Sequence, residues 1–355
     1  MYEEFEGTKA VSERMKVDLH ALATYMGSHV EGFNSALQIE QFKGGQSNPT
    51  FKLIAGEQRY VLRTKPAPAA KLLPSAHAID REFRVMDALS KAGFPAARQH
   101  ALCLDESVIG RAFYVMEFVE GRVLWDQSLP GMTREQRAAH YDEMNRVIAQ
   151  LHSLDYQALG LESFGKPGNY FARQIDRWTR QYKAAETEHI AAMESLIDWL
   201  PQNIPAGEIT TIVHGDYRLD NMIFHPTEPR ILAVLDWELS TLGHPLADFS
   251  YHCMSWHIAP GLFRGIGGLD LKSLGIPTED EYIAKYSERT GIAVNKEDFR
   301  FYLAYNMFRM AGILQGIMKR YQDGTASSEQ ALRSGQAARP MAEMGWAYVS
   351  GEKTL

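Results

Sequence analysis

Ile212-Val213-His214-Gly215-Asp216-Tyr217-Arg218-Leu219-Asp220-Asn221-Met222-Ile223-Phe224 is the stretch of this chain richest in residues committed to chemistry. A short apolar strand leads into a polar loop, and a second apolar strand leads out. Fifteen residues after Asn221, Asp236 stands at the end of another apolar run, in Val234-Leu235-Asp236-Trp237-Glu238. Carboxylates and an amide on loops between paired strands are held rigidly, which suits chemistry made of positioning and electrostatics. The plainer reading, in which Asp216 and Asn221 only cap a loop, is set against this. Four fixed residues in His-Gly-Asp-x₄-Asn rarely coincide by chance in one chain.

Upstream of this loop the texture is that of strands. Leu37-Gln38-Ile39-Glu40-Gln41-Phe42 and Thr50-Phe51-Lys52-Leu53-Ile54 alternate, and Tyr60-Val61-Leu62-Arg63 follows a Gly56-Glu57-Gln58-Arg59 turn before Pro66 and Pro68 stop the sheet. Ile79, Phe83, Met86 and Leu89 fall at helical spacing, and Gly93-Phe94-Pro95 ends that run. Two more strands are predicted near 100–105 and at 112–116, and an N-terminal helical extension precedes the sheet. After Gly121 helices dominate: one opens on the capping box Thr133-Arg134-Glu135-Gln136, and others cover 169–186, 188–200, 279–290, 297–321 and 328–348. Short strands at 211–213 and 231–235 interrupt them. The prediction is an α+β chain with a sheet-rich part, residues 1–118, followed by a mostly helical part, residues 119–355.

Composition narrows the class. The chain has 355 residues, with 37 Lys+Arg against 44 Asp+Glu, a net charge of −7, which argues against a dedicated nucleic-acid binder. No stretch approaches the roughly 18 apolar residues of a membrane span. Met1-Tyr2-Glu3-Glu4-Phe5-Glu6 is acidic and does not read as a secretory signal. Only Cys103 and Cys253 are present, too few for a disulfide framework and consistent with a reducing cytoplasm.

The loop residues have the inventory of phosphoryl transfer: a carboxylate to orient and deprotonate an alcohol, and a carboxylate with an amide to hold Mg²⁺ on nucleotide phosphates. Asp216, a basic Arg218 two residues on and Asn221 five residues on follow the catalytic-loop spacing of kinases. Between the first two strands, Gly44-Gly45-Gln46-Ser47-Asn48 has backbone N–H groups able to cover phosphates, although the same residues also make an ordinary hairpin. A phosphate-binding cation is expected on the third strand, paired with Glu82. Arg63 and Lys65 share strand parity, and Arg63, within the strand, is preferred over Lys65 at its frayed end.

With these residues in view, the chain resembles the aminoglycoside phosphotransferase/choline kinase-like family, which has the protein kinase-like fold. The resemblance is carried by Gly44 to Asn48, Tyr60-Val61-Leu62-Arg63, Glu82, Val115 to Gly121, His214-Gly215-Asp216-x₄-Asn221, Leu235 to Glu238 and Gly243-His244-Pro245-Leu246-Ala247-Asp248. It implies a bilobal fold and ATP with Mg²⁺ as cofactors. It further implies Asp216 as the base supported by Arg218, Asn221 and Asp236 as metal ligands, and Glu117, Phe118 and Val119 as the adenine hinge. Asp248 and His214 would support the loop. Arg63 stands where the family often has Lys, and His244 replaces a usual Asp.

The acceptor is expected to be a small molecule with a hydroxyl group. Residues 257–355 carry 11 acidic and 12 basic side chains, and within 301–340 the basic ones outnumber the acidic, which matches a neutral or anionic alcohol better than a polycation. Solvated surface charge is the bland alternative. The chain also looks similar to the kinase-like domains fused to acyl-CoA dehydrogenases, implying a hydroxyacyl-CoA acceptor. A catalytically weak nucleotide-binding module, a kinase for aminoglycosides or amino alcohols, and a Ser47 or Ser240 hydrolase are the competitors. The last lacks a Gly-x-Ser-x-Gly elbow. No nucleic acid or membrane partner is expected, and the chain is taken as a monomer or homodimer.

Overall fold

The computed structural model describes residues 7–43, 48–66, 78–261, 264–325 and 329–352. In chain order, β1 (Thr8–Lys9) and α1 (Leu19–His29) precede β2 (Gln38–Phe42), β3 (Thr50–Ala55) and β4 (Gln58–Thr64). Then come α2 (Ile79–Lys91), β5 (Gln99–Cys103), β6 (Phe113–Glu117) and β7 (Arg122–Val123). Helices α3 (Arg134–Ser153), α4 (Tyr170–Ala184) and α5 (Ala191–Trp199) lead to strands β8 (Thr211–Val213), β9 (Met222–Phe224), β10 (Ile231–Val234) and β11 (Thr241–Gly243). The chain finishes with α6 (Pro245–Cys253), α7 (Leu271–Leu274), α8 (Glu279–Thr290), α9 (Lys296–Gln322), α10 (Glu329–Gln336) and α11 (Ala338–Val349). This is the α+β architecture of the kinase-like fold.

Two compact units are present. The first contains the described residues of 1–125, 157–164 and 220–240; the second contains those of 126–156, 165–219 and 241–355. A single cut at 118/119 is what the sequence suggests, yet 119–125, 157–164 and 220–240 fall in the first unit. The reason is hydrogen bonding: β10, β9 and β7 form one antiparallel sheet, Val234 N donates to Pro95 O (2.8 Å), and Trp237 meets Phe94 edge-on.

In the first unit the main sheet runs β1-β2-β3-β4-β6-β5, antiparallel throughout. Gly56, at φ +63°, supplies the left-handed residue of the two-residue turn joining β3 to β4. The period-2 alternation of the strands then sorts side chains to two faces. Phe51, Leu53, Leu62, Phe113 and Val115 pack with Leu22 and Met26 of α1 in one buried cluster. Residues of the opposite parity, Arg63 and its register partner Tyr114, reach Glu82 of α2 on the other face. The same parity rule therefore builds a core on one side and a polar site on the other.

In the second unit, α3 opens on the predicted capping box, Thr133 with Gln136, and α8 on a second one, Thr278 with Glu281. Strands β8 and β11 pair antiparallel and carry the chain into and out of the loop region. Helix α9 is buried along most of its length, as its aromatic run Phe299-Phe301-Tyr302-Tyr305-Phe308 suggests. One helix is predicted over 328–348, but two form, α10 and α11, broken at Ala337. Pro340 explains the break: its ring and missing N–H rule out a helix continuing through residue 336, while the first turn of α11 tolerates it.

Candidate active site

The loop 214–218 is fixed by α6, and residue placement on α6 follows from its cap. His244 Nδ1 accepts from Leu246 N (3.2 Å), doing as N-cap what an Asp would do, and Pro245 occupies the first helical position. Burial, with the nearby His152 charge, pulls His244 from 6.5 down to about 4, so the ring stays neutral and able to accept. Asp248 then lies within the first turn, where it accepts from His214 N (2.7 Å) and Gly215 N (2.8 Å). His152 Nε2 sits 3.3 Å from the same carboxylate. Burial pushes Asp248 up, but these partners outweigh it and hold the carboxyl below its ordinary value.

Asp216 is held from both oxygens. Tyr251 donates its hydroxyl to Oδ1 (2.5 Å), and Arg218 Nε lies 3.2 Å from Oδ2. Its own N–H donates to His214 Nδ1 (3.1 Å), which ties the loop back on itself. Tyr251 keeps its proton, because burial first and the Asp216 charge second push its ionisation far above the ordinary phenol range. Arg309 of α9 donates Nη2 to Gly215 O (2.7 Å). The result is a carboxylate aimed by a buried frame of donors. Tyr251 is absent from the sequence-based site, although a signal existed: it lies three residues after Asp248, on the same face of α6.

The chain passes from the second unit to the first between Leu219 and Asp220. In the first unit, Leu235 N donates to Asn221 O (2.8 Å), which brings Asn221 and Asp236 onto one β9–β10 hairpin. Asp236 adopts a left-handed conformation at φ 65° and ψ 61°, which Asp and Asn tolerate better than other residues with a side chain. Its Oδ1 accepts from Arg63 Nη2 at 3.2 Å, and Glu238 Oε2 lies 3.7 Å from the same nitrogen.

Arg63 is the cation that meets Glu82, with Nε 2.8 Å from Oε2; Lys65 forms no ion pair among the described residues. Glu82 also accepts from Tyr114 (3.0 Å) and from the Asn48 amide (2.8 Å). Burial pushes the Glu82 carboxyl up, and the Arg63 charge and the donated hydrogen bonds work against that push. Burial lowers Arg63, but Tyr114, Glu82, Asp236 and Glu238 outweigh it and hold the guanidinium above its usual value. One cation thus faces three carboxylates, a local negative surplus built from oxygen donors. Asp236, with the Asn221 side chain on the same hairpin, offers oxygen donors of the kind a hard divalent cation such as Mg²⁺ takes. Glu238 joins the cluster although the sequence assigns it no role.

The remaining expected positions are distributed as follows. Glu117 ends β6 opposite Tyr60, and its carboxylate accepts from Arg98 N (3.2 Å). Phe118 stacks on Phe42, and Val119 follows it outside regular structure. Gly44, Gly45, Gln46 and Ser47 lie outside the described residues. No helix among the described residues is long and apolar enough to cross a membrane.

Comparison with known proteins bears on this geometry. The phosphotransferase enzyme family (APH) matches over residues 38–284. A crystal structure from Ralstonia eutropha, provisionally named an aminoglycoside phosphotransferase, is 65% identical, with a TM-score of 0.88 over 95% of this chain and 99% of that one. Acyl-CoA dehydrogenase family member 10 of Mus musculus is 46% identical over 97% of this chain, which spans 32% of that relative's length. A thermostable variant of the aminoglycoside phosphotransferase APH(4)-Ia, in ternary complex with ADP and hygromycin B, shares the fold at 16% identity. Its TM-score is 0.60 over 95% of this chain and 99% of that one.

Proposed function

The chain belongs to the phosphotransferase enzyme family, and from that premise we propose that it moves the γ-phosphoryl group of ATP to a hydroxyl group of a small molecule. The observation that carries this is the hold on Asp216: a carboxylate with Tyr251 on one oxygen and Arg218 on the other, on a loop pinned through its backbone by Asp248. In the reaction the acceptor oxygen attacks the γ-phosphorus, the bond to the bridging oxygen breaks, and ADP leaves with that electron pair. Asp216 orients the hydroxyl and takes its proton. Arg218 and Tyr251 keep the carboxylate aimed until then.

Arg63, braced by Glu82, is the cation proposed for the nucleotide phosphates, with Gly44 to Asn48 covering them and Glu117, Phe118 and Val119 as the adenine hinge. Asn221 and Asp236 would hold Mg²⁺, which neutralises phosphate charge when bound. Arginine in place of lysine is consistent with this role: its fork reaches Glu82 through Nε and leaves Nη2 toward Asp236. The two buried thiols, Cys103 and Cys253, suit a reducing cytoplasm.

For the acceptor we favour a hydroxyacyl thioester. Similarity across 97% of the chain to a relative named for acyl-CoA dehydrogenation supports it, as does the balanced charge of 257–355. Phosphorylation of that hydroxyl would convert it into a leaving group. The test is a direct comparison of acceptors. Incubation with ATP and Mg²⁺ should phosphorylate a hydroxyacyl-CoA and leave amino sugars unmodified; phosphorylation of amino sugars alone would overturn the assignment.

A further inference from the structure

A basic and aromatic cluster lies next to Asp216 in the second unit and has no part in the proton transfer described above. Arg309 touches Gly215 through its hydrogen bond and stacks over Tyr251, the phenol bonded to Asp216, at 5.4 Å from the ring centroid. The same guanidinium lies 5.6 Å from the ring of Trp178 on α4, and Arg177 covers that indole at 5.5 Å. Arg309 and Trp178 are each only 8% exposed, whereas Arg177 is exposed.

What the cluster lacks is acceptors. Neither Arg309 nor Arg177 has a carboxylate within ion-pair distance among the described residues; both oxygens of Asp216 are engaged by Tyr251 and Arg218. The Trp178 Nε1 hydrogen is buried with no acceptor among them. Buried guanidinium groups are ordinarily paired, and a buried indole N–H ordinarily finds an oxygen. Stacking on a ring compensates a buried cation only in part. The buried Arg309, with no carboxylate partner, and the orphaned Trp178 N–H share one deficiency, which an anionic oxygen would supply, and the exposed Arg177 adds a second cation over the same indole.

We infer that Arg177, Trp178 and Arg309 form a subsite for an anionic group, a carboxylate or a phosphate, carried by the phosphate acceptor at a distance from its reacting hydroxyl. This rests on the proposed phosphotransfer to a small alcohol and names the charge class of that alcohol. A bidentate guanidinium suits either anion, and the indole N–H supplies a fixed third donor.

The test reads the indole itself. In ¹⁵N-labelled protein, with the Trp178 Nε1–H resonance assigned by triple-resonance spectroscopy, inorganic phosphate and butyrate are titrated separately against chloride at matched ionic strength. A saturable downfield shift of the Trp178 resonance with phosphate or butyrate is expected, and the anion that produces it identifies the group. Arg177→Ala, a change at an exposed side chain, should weaken that binding about tenfold, or roughly 1.4 kcal/mol. A resonance that follows chloride with both anions overturns the inference, as does binding that Arg177→Ala leaves untouched. The titration needs neither ATP nor turnover, so it can fail while phosphoryl transfer stands, and it can succeed in an Asp216→Asn protein that transfers nothing.

Discussion

Asp216 gains its direction from Tyr251, and that single phenol makes a sharp prediction. Tyr251→Phe removes a 2.5 Å hydrogen bond to an ionised oxygen while keeping the ring that Arg309 covers. Hydrogen bonds to charged groups contribute about 1.5–3 kcal/mol, so kcat should fall roughly 10- to 100-fold. An unchanged kcat would mean that Tyr251 only packs. Arg63 allows a second prediction at this scale. Its Nε faces a Glu82 side chain only 3% exposed, so Arg63→Ala leaves a buried charge unpaired and should cost about 3–5 kcal/mol in denaturant melts, with Arg63→Lys intermediate. Asp216, Asn221 and Asp236 are legible in the sequence because their spacing is local and dictated by one loop and one hairpin. Tyr251, Arg309 and Trp178 are harder to read, because α6, α9 and α4 bring them together from stretches far apart in the chain.

Among the elements, strand parity and caps were the readable features. Alternation in β3 and β4 puts Phe51, Leu53 and Leu62 in the core and Arg63 on the opposite face, and Thr133 announces α3 by its capping box. Close approaches carry no such periodic mark. A Cβ added at Gly121 would lie 2.3 Å from Phe224 O and 2.5 Å from the Ile223 side chain, so β7 reaches β9 only because residue 121 has none. Gly121→Ala should therefore loosen the β7–β9 pairing. Faster amide exchange at β9 and a loss of stability above about 1 kcal/mol are expected, against the gain that a strain-free Gly→Ala change gives. Protection at β9 equal to wild type would contradict the close packing. The break between α10 and α11 is an intermediate case. Pro340 marks it in the sequence, but helical periodicity on both sides masks it until the backbone turn at Ala337 is seen.

At the scale of the whole molecule, buried imidazoles couple stability to pH. His244 and His252 are held near 4, well below the 6.5 of a free side chain, by burial in both cases and by the His152 charge in the first. As pH falls the unfolded chain takes up these protons first, so their stabilisation is complete above about pH 6.5 and is lost progressively toward pH 4. The loss should be on the order of 2–3 kcal/mol for each ring, seen as a denaturation midpoint that declines between pH 6.5 and 4.5; a flat midpoint across that range would show rings that titrate freely. The division into two units, with the chain crossing between Leu219 and Asp220, puts the proposed base on one and the proposed metal ligands on the other. The claim that this chain transfers phosphoryl groups to alcohols is tested most directly by phosphorus NMR of ATP, Mg²⁺ and a hydroxyacyl thioester. The account predicts ADP together with a new phosphomonoester resonance, formed 10²–10⁴-fold more slowly by Asp216→Ala, the order expected for loss of a general base. Conversion of ATP to inorganic phosphate alone, or a phosphomonoester formed by Asp216→Ala at the wild-type rate, would contradict it.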